Sequence, residues 1–103
     1  MFVGAWPPVG AHPNAAWLCL SSGSAPCAYF AENHQSEDYS NLAMYGLDDR
    51  VDRIVTGRNR SVKYFRDPWF GGYLGCVPGD VSRSVRGLGV SSVQTEMRGD
   101  CNW

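Results

Sequence analysis

The chain has 103 residues, of which 44% are hydrophobic and 18% charged, and its net charge is −1. This length leaves room for one compact domain, and the composition is that of a globular protein, which excludes a disordered chain. The near-neutral charge gives no electrostatic argument for nucleic-acid binding, which usually needs concentrated positive charge. With 12 glycines and 6 prolines, the chain is expected to contain many turns and no long helix.

The first 16 residues suit neither a membrane span nor a signal peptide, because residues 1–6 are apolar but are not followed by a long hydrophobic run. Pro7, Pro8 and Pro13 favour an extended backbone over a helix. We predict that residues 1–16 form an N-terminal extension or an edge strand.

From residue 16 onward, short apolar runs alternate with turn signals. The runs predict β-strands over residues 16–20, 27–30, 51–55, 61–65, 73–77, 81–85 and 90–94. Residues 32–40 are polar and predict a loop, and residues 42–45 predict a turn or one helical turn. Strands that recur about every ten residues between turn signals are typical of an all-β sandwich or barrel.

A weak internal repeat divides the chain into two units. Tyr29-Phe30 corresponds to Tyr64-Phe65, and residues 51–54 correspond to residues 90–93. Because neither unit could bury its apolar face alone, we expect the two units to pack as facing sheets. We therefore predict a single domain over residues 17–103, with halves at about 17–58 and 59–98.

Basic residues are concentrated in the middle of the chain, but acidic residues are interleaved with them. The basic residues are Arg50, Arg53, Arg58, Arg60, Lys63 and Arg66, and the acidic ones are Asp48, Asp49, Asp52 and Asp67. We interpret this segment as a solvated surface of mixed charge and not as a nucleic-acid patch.

Four cysteines, Cys19, Cys27, Cys76 and Cys101, indicate a disulfide framework and an oxidising compartment. Three pairings are possible. We favour Cys19–Cys27, which flanks a turn-like run, with Cys76–Cys101, which attaches the end of the chain to a strand. A zinc site is the less favoured alternative, because the cysteines and histidines lack ligand spacing.

The segment 65–72 resembles the Greek-key signature of the βγ-crystallins, with Phe65, Phe70 and Gly72 at its aromatic, aromatic and glycine positions. In such a hairpin the first aromatic packs over the folded hairpin, the second enters the core, and the glycine permits a positive φ. Residues 47–54 look like the segment that precedes the last strand of that motif. The first-half hairpin departs from the signature at Gln35 and Glu37.

Residues 64–93, and more loosely residues 19–55, are similar to the microbial βγ-crystallin-like peptidase inhibitors, small secreted proteins mostly of actinobacteria. Residues 1–16 do not fit this pattern. This resemblance implies an all-β, disulfide-stapled double Greek-key sandwich that is secreted, is monomeric and inhibits a secreted metallopeptidase. Residues 32–39 and Cys76-Val77-Pro78, in the run 76–80, are the candidate inhibitory loops. The alternative is that Cys76 and Val77 are ordinary strand residues before a turn.

Calcium binding is the main alternative function, although no cofactor is required for the fold. Asp48, Asp49 and Asp52 lie where the resemblance places a calcium loop, and calcium prefers several oxygen ligands. Arg50 and Arg53 could neutralise these acids in a surface salt-bridge cluster instead. In the second half the acidic pair is replaced by the run 87–90, which begins Gly-Leu, so no second site is expected.

A killer-toxin-like antimicrobial protein is a further alternative, since some of the tryptophans could be exposed. These are Trp6, Trp17, Trp69 and Trp103. The chain lacks the cationic charge that such toxins often carry. An enzyme is the least supported hypothesis, because His12 and His34 are the only histidines and neither lies beside an obvious nucleophile.

Overall fold

The computed structural model describes residues 2–4, 13–21, 24–30 and 36–103, which form nine β-strands. They are β1 (Phe2–Gly4), β2 (Ala16–Ser21), β3 (Ser24–Phe30), β4 (Ser36–Tyr39), β5 (Arg53–Thr56), β6 (Ser61–Phe65), β7 (Tyr73–Val77), β8 (Ser82–Ser84) and β9 (Ser92–Glu96). Short 3-10 turns lie at Leu42–Tyr45 and Pro68–Phe70. None of the helical turns in these residues is long and apolar enough to cross a membrane. The all-β prediction is confirmed.

The strands form two antiparallel sheets that mix the two halves of the chain. Sheet A has the order β1-β3-β2-β5-β8, and sheet B has the order β4-β9-β6-β7. β8 belongs to the second half but pairs with β5, and β4 belongs to the first half but pairs with β9. The expectation of two units packed as facing sheets therefore needs correction, because each unit gives one strand to the other's sheet.

β1 pairs with β3 at the edge of sheet A, where Phe2 lies opposite Tyr29. β2 begins at Ala16, next to the predicted boundary of the extension. Residues 1 and 5–12 lie outside the described residues, so the division of the chain at residue 16 stays a prediction.

Most predicted strands coincide with observed ones, but β4 was predicted as a loop. Its sequence, Ser36–Tyr39, is polar, and Tyr39 packs against the core only partly buried. The strand exists because it pairs with β9 along its whole length, from Ser36 opposite Glu96 to Tyr39 opposite Val93. An edge strand with one half-buried residue has little periodicity to detect.

The core lies between the sheets, and in β2 and β6 its members alternate with outward-facing residues. On β6, Val62 and Tyr64 face this core, and Val62 is fully buried. The remaining buried members are Ala16, Leu18, Ala28, Leu42, Leu47, Val51, Ile54, Val77, Val85, Val90 and Val93. Each buried Val, Leu or Ile side chain stabilises the fold by roughly 1.5–3 kcal/mol relative to an exposed one.

Two disulfides join the cysteines in the pairing that we favoured from the sequence. Cys19 and Cys27 are fully buried and lie opposite each other on β2 and β3, with 4.0 Å between their Cα atoms. Cys76 on β7 is bonded to Cys101, with 6.2 Å between the Cα atoms. Because no cysteine is free, a zinc site built on cysteine is excluded.

Arg60 corrects the prediction of a fully solvated central segment, because its side chain is completely buried. Its Nε donates to the carbonyl oxygen of Asn14 at 2.9 Å, and its Nη1 donates to Oγ1 of Thr95 at 3.2 Å. Burial lowers the pKa of this guanidinium. These bonds attach the chain before β2 to β9, which sequence spacing alone does not indicate.

A substitution at Gly79 tests how closely this residue packs against the loop that contains Arg58. A Cβ added there would lie 2.2 Å from the carbonyl oxygen of Arg58, which is backbone and cannot rotate away. We expect Gly79→Ala to lower the free energy of unfolding by about 1–3 kcal/mol in chemical denaturation. Gly71→Ala is the matched control, because its Cβ would meet only the Asp67 side chain, at 3.3 Å. Equal losses in the two variants would contradict the close backbone approach.

Candidate functional site

Three segments from both halves of the chain meet at one end of the sandwich. Ser91 N–H donates to the Phe65 carbonyl at 2.9 Å, and Leu42 N–H donates to the Ser91 carbonyl at 2.9 Å. Asp49 N–H also donates to the carbonyl of Val90, at 3.3 Å. We call this region, formed by residues 40–49, 66–72 and 86–92, the loop end.

The hairpin between β6 and β7 is fastened along both of its sides. Arg66 N–H donates to Gly72 O at 2.9 Å, and Asp67 N–H donates to Gly71 O at 3.0 Å. Ser92 Oγ donates to Asp67 O at 2.6 Å and accepts from Phe70 N–H at 3.1 Å. The hairpin is therefore attached to β9 through a single serine hydroxyl.

The structure confirms the predicted role of the glycine, but Phe70, which was predicted to enter the core, is only half-buried and is not a member of the core cluster. Phe65 and Phe70 pack edge to face with 5.6 Å between ring centroids. Gly72 has a φ of +65°, as the signature requires of its glycine.

Trp69 is presented to solvent at the tip of the hairpin, with 76% of its surface exposed. Its backbone is left-handed, with φ 60° and ψ 33°, and the next residue, Phe70, has φ 64°. A non-glycine residue in this region costs on the order of 1–3 kcal/mol and persists where the surroundings hold it. Here Trp69 N–H donates to the carbonyl of Ser40 at 2.6 Å. The indole is thus exposed on a backbone that is tightly held.

Large apolar side chains other than Trp69 are also exposed in the described residues. Tyr73 packs against Phe65 beside the hairpin at 5.7 Å, and Tyr45 packs edge to face against Tyr39 at 5.3 Å. Tyr73, Tyr45, Met44 and Leu88 are all exposed. From the sequence alone, Trp69 is only one of four tryptophans that could be exposed.

The acidic loop contacts the second half of the chain, not its neighbouring arginines. Asp48 Oδ1 accepts a hydrogen bond from Ser91 Oγ at 2.6 Å. Arg50 donates instead to the carbonyl of Gly46 at 2.9 Å, and Arg53 donates to a serine hydroxyl on β8. The alternative of an Asp/Arg salt-bridge cluster is wrong for these described side chains.

Asp52 is bonded through its backbone to Cys19 and Val85, whereas Asp48 and Asp49 contact residues 89–91. The Asp52 N–H donates to the Cys19 carbonyl, and the Asp52 carbonyl accepts from Val85 N–H, each at 2.8 Å. No group of three His, Cys, Asp or Glu side chains in the described ranges could hold a metal. The predicted calcium site of three aspartates is therefore not assembled. Ser91 was missed, although the internal repeat aligns it with Asp52.

The predicted inhibitory segment is part of a strand. Cys76 and Val77 belong to β7, and Val77 is fully buried opposite Val62. The carbonyl of Pro78 accepts a hydrogen bond from Thr56 Oγ1. The Cys76–Val77 peptide bond thus lies within a sheet, in agreement with the alternative interpretation as ordinary strand residues.

The other predicted loop, 32–39, is described only from residue 36 onward, where it forms β4. His12, His34 and Trp6 also lie outside the described residues. The structure therefore gives no geometry for either histidine.

Comparison with known proteins identifies the fold. No protein-family model and no curated protein sequence matches the chain. The exchanged strands and the folded hairpin define a two-sheet Greek-key domain. A solved structure described as "Evolution of the eye lens beta-gamma-crystallin domain fold" aligns with a TM-score of 0.71 and 14% identity, over 93% of this chain and 98% of that chain. The protein has the βγ-crystallin domain fold.

The carboxyl group of Asp38, on β4, makes the free energy of folding depend on pH. Burial and the nearby Glu96 raise the pKa of its carboxyl above the usual 3.8. Folding is therefore favoured below this usual value, where Asp38 is protonated in both states, and the benefit is lost as pH rises through the raised folded-state pKa. We expect Asp38→Asn to raise Tm at about pH 7 and to leave Tm unchanged at about pH 3. A Tm difference of the same size at both pH values would contradict this assignment.

Proposed function

We propose that this protein is a secreted inhibitor of a metallopeptidase that binds its target through the hairpin 66–72. The observation that carries the proposal is the exposed Trp69 indole on a left-handed, hydrogen-bonded backbone. The two disulfides agree with an oxidising compartment, as expected for a secreted domain.

Rigidity is the property that an inhibitory loop needs most. The backbone of this hairpin is held at both sides and at its tip, so little conformational freedom is lost on binding. Tryptophan is enriched among the residues that contribute most to the affinity of protein interfaces. Trp69 is therefore the proposed anchor.

The backbone conformation also bears on resistance to cleavage. A peptidase cleaves substrate bound as an extended strand, whereas Trp69 and Phe70 have φ values of 60° and 64°. The hairpin would thus enter the cleft through the side chain of Trp69, and its backbone would not align a peptide bond for attack. A metallopeptidase is the target class that the sequence resemblance implies, and we infer that its cleft has a large apolar pocket for the Trp69 indole.

Inhibition can be measured directly. The purified protein should reduce the activity of a thermolysin-type peptidase at molar excess and leave a subtilisin-type peptidase active. We expect Trp69→Ala to weaken inhibition about 30-fold or more, the factor for loss of a hot-spot residue of about 2 kcal/mol.

Leu88→Ala is the matched control, because Leu88 is also a large apolar residue with 43% of its surface exposed. It should leave the inhibition constant unchanged, and both variants should keep the Tm of the parent. Full activity of every peptidase tested, at a molar excess of the parent protein, would refute the proposed function. Equal effects of the two variants would refute the role of Trp69.

A second candidate function is calcium binding at one site, and the contact between Asp48 and Ser91 favours it. The carboxylate of one half lies 2.6 Å from the hydroxyl of the other, and Asp49 Oδ1 faces Gly89 on the same side. Side-chain and backbone oxygens are the ligands that calcium prefers. With only these two carboxylates available, the affinity would fall in the weak, millimolar range of extracellular modules.

Calcium at about ten times such a dissociation constant should raise Tm by several degrees, because it binds only the folded protein. Asp48→Asn should abolish this shift. Asp52→Asn should keep it, since Asp52 bonds to the Cys19 and Val85 backbone elsewhere. An unchanged Tm of the parent protein at this calcium concentration would exclude the site.

A further inference from the structure

We propose that residues 97–103 form a reducible strap over the outer face of sheet B. Reduction of the Cys76–Cys101 disulfide opens the strap and uncovers Lys63, while the rest of the fold stays closed. This device is independent of peptidase inhibition, because it involves neither Trp69 nor the loop end.

The strand β6 shows which face the strap covers. Val62 and Tyr64 belong to the core, so the alternate residues Ser61 and Lys63 point to the opposite face of the sheet. Trp103 Nε1 donates to Ser61 Oγ at 2.8 Å. The Lys63 ammonium lies 4.2 Å from the centroid of the Trp103 ring and donates to the Trp103 carbonyl. Trp103 therefore lies on the outer face of β6.

The disulfide attaches the strap to the same face. Cys76 lies opposite Lys63 in the β6–β7 register, so the two side chains share one side of the sheet. Its partner Cys101 lies in a segment without strand or helix. Gly79 N–H also donates to the carbonyl of Gly99, at 2.8 Å. Residues 97–103 form no strand or helix, and irregular surface segments of this kind are among the parts of a structure that open most easily.

The two disulfides differ in their access to a reductant. Cys19 and Cys27 are fully buried between paired strands, whereas Cys76 and Cys101 are both half-buried. Thiol–disulfide exchange needs direct approach of a thiolate to a sulfur atom. One thiolate of a dithiol attacks the Cys76–Cys101 bond and forms a mixed disulfide with the protein. The second thiol of the reagent then displaces the protein sulfur, and the reagent leaves as a cyclic disulfide. The protein gains two electrons and two protons as two thiols.

Loss of this bond changes how Trp103 is held. With the cross-link, the indole is confined close to Lys63; without it, Trp103 must find β6 from the end of a freed segment. After reduction the indole is held on β6 only by the cation–π contact and the hydrogen bonds that join it to Lys63 and Ser61, without the covalent tether. The open form is therefore populated once the disulfide is reduced.

Lys63 is the only lysine in the chain, which gives the test a residue-specific signal. The folded protein is reduced with dithiothreitol in the absence of denaturant. One sample is then alkylated and a parallel sample is acetylated, and the peptides of both are mapped by mass spectrometry. We expect alkylation of Cys76 and Cys101 only, unchanged far-UV circular dichroism, and a rise of about tenfold in the acetylation rate of Lys63.

Two variants distinguish the effect of the disulfide, which holds the strap, from that of the Trp103 indole, which covers Lys63. The double variant Cys76→Ser, Cys101→Ser should acetylate at Lys63 as fast as the reduced protein, with no dithiol present. Trp103→Ala keeps the disulfide but should also raise the Lys63 rate, since the indole is removed. Parallel alkylation of all four cysteines, or loss of circular dichroism on reduction, would overturn selective opening. An unchanged Lys63 rate after selective reduction would overturn the strap.

Discussion

The exchange of one strand between the two halves is the constraint on which the rest of the structure depends. β4 completes the sheet of the second half, and β8 completes the sheet of the first. The inward side chains of both sheets then form one continuous core, in which Leu18 and Ile54 of sheet A join Val62 and Val93 of sheet B. Neither half could close this core alone, so the two halves must fold as one unit.

The same exchange builds the loop end. Because β4 lies beside β9, the chain that leaves β4 passes over the hairpin of the second half, and the Ser40 carbonyl receives the Trp69 N–H. The acidic loop of the first half likewise meets the serines that precede and begin β9, where Ser91 bonds Asp48. A strained hairpin can persist at this place because both halves hold it.

The outer face of sheet B carries two coverings of different character. At one end of β6, Phe65 lies under the hairpin, which is fixed to Ser92 by hydrogen bonds. Toward the other end, Ser61 and Lys63 lie under Trp103, which a partly exposed disulfide keeps in place. The first covering is held by hydrogen bonds alone, and the second is held by a disulfide together with the hydrogen bonds of Gly99 and Trp103. The alternation of side chains along a single strand thus places a rigid surface next to an openable one.

Local pattern alone determined the β-class, most of the strand positions and the hairpin with its glycine. These depend on contacts between residues close in sequence, such as Phe65 with Phe70 and the turn at Gly72. The disulfide pairing also followed from local context, since Cys19 and Cys27 flank one turn.

Tertiary structure alone decided which strands share a sheet, that β4 is a strand, and that Arg60 is buried. It also decided that Asp48 meets Ser91 and not Asp52, and that Val77 lies in the core. Each of these features depends on partners far away in sequence. A short polar or apolar run can lie at the surface or in the core, and only the exchange of strands between the halves decides which.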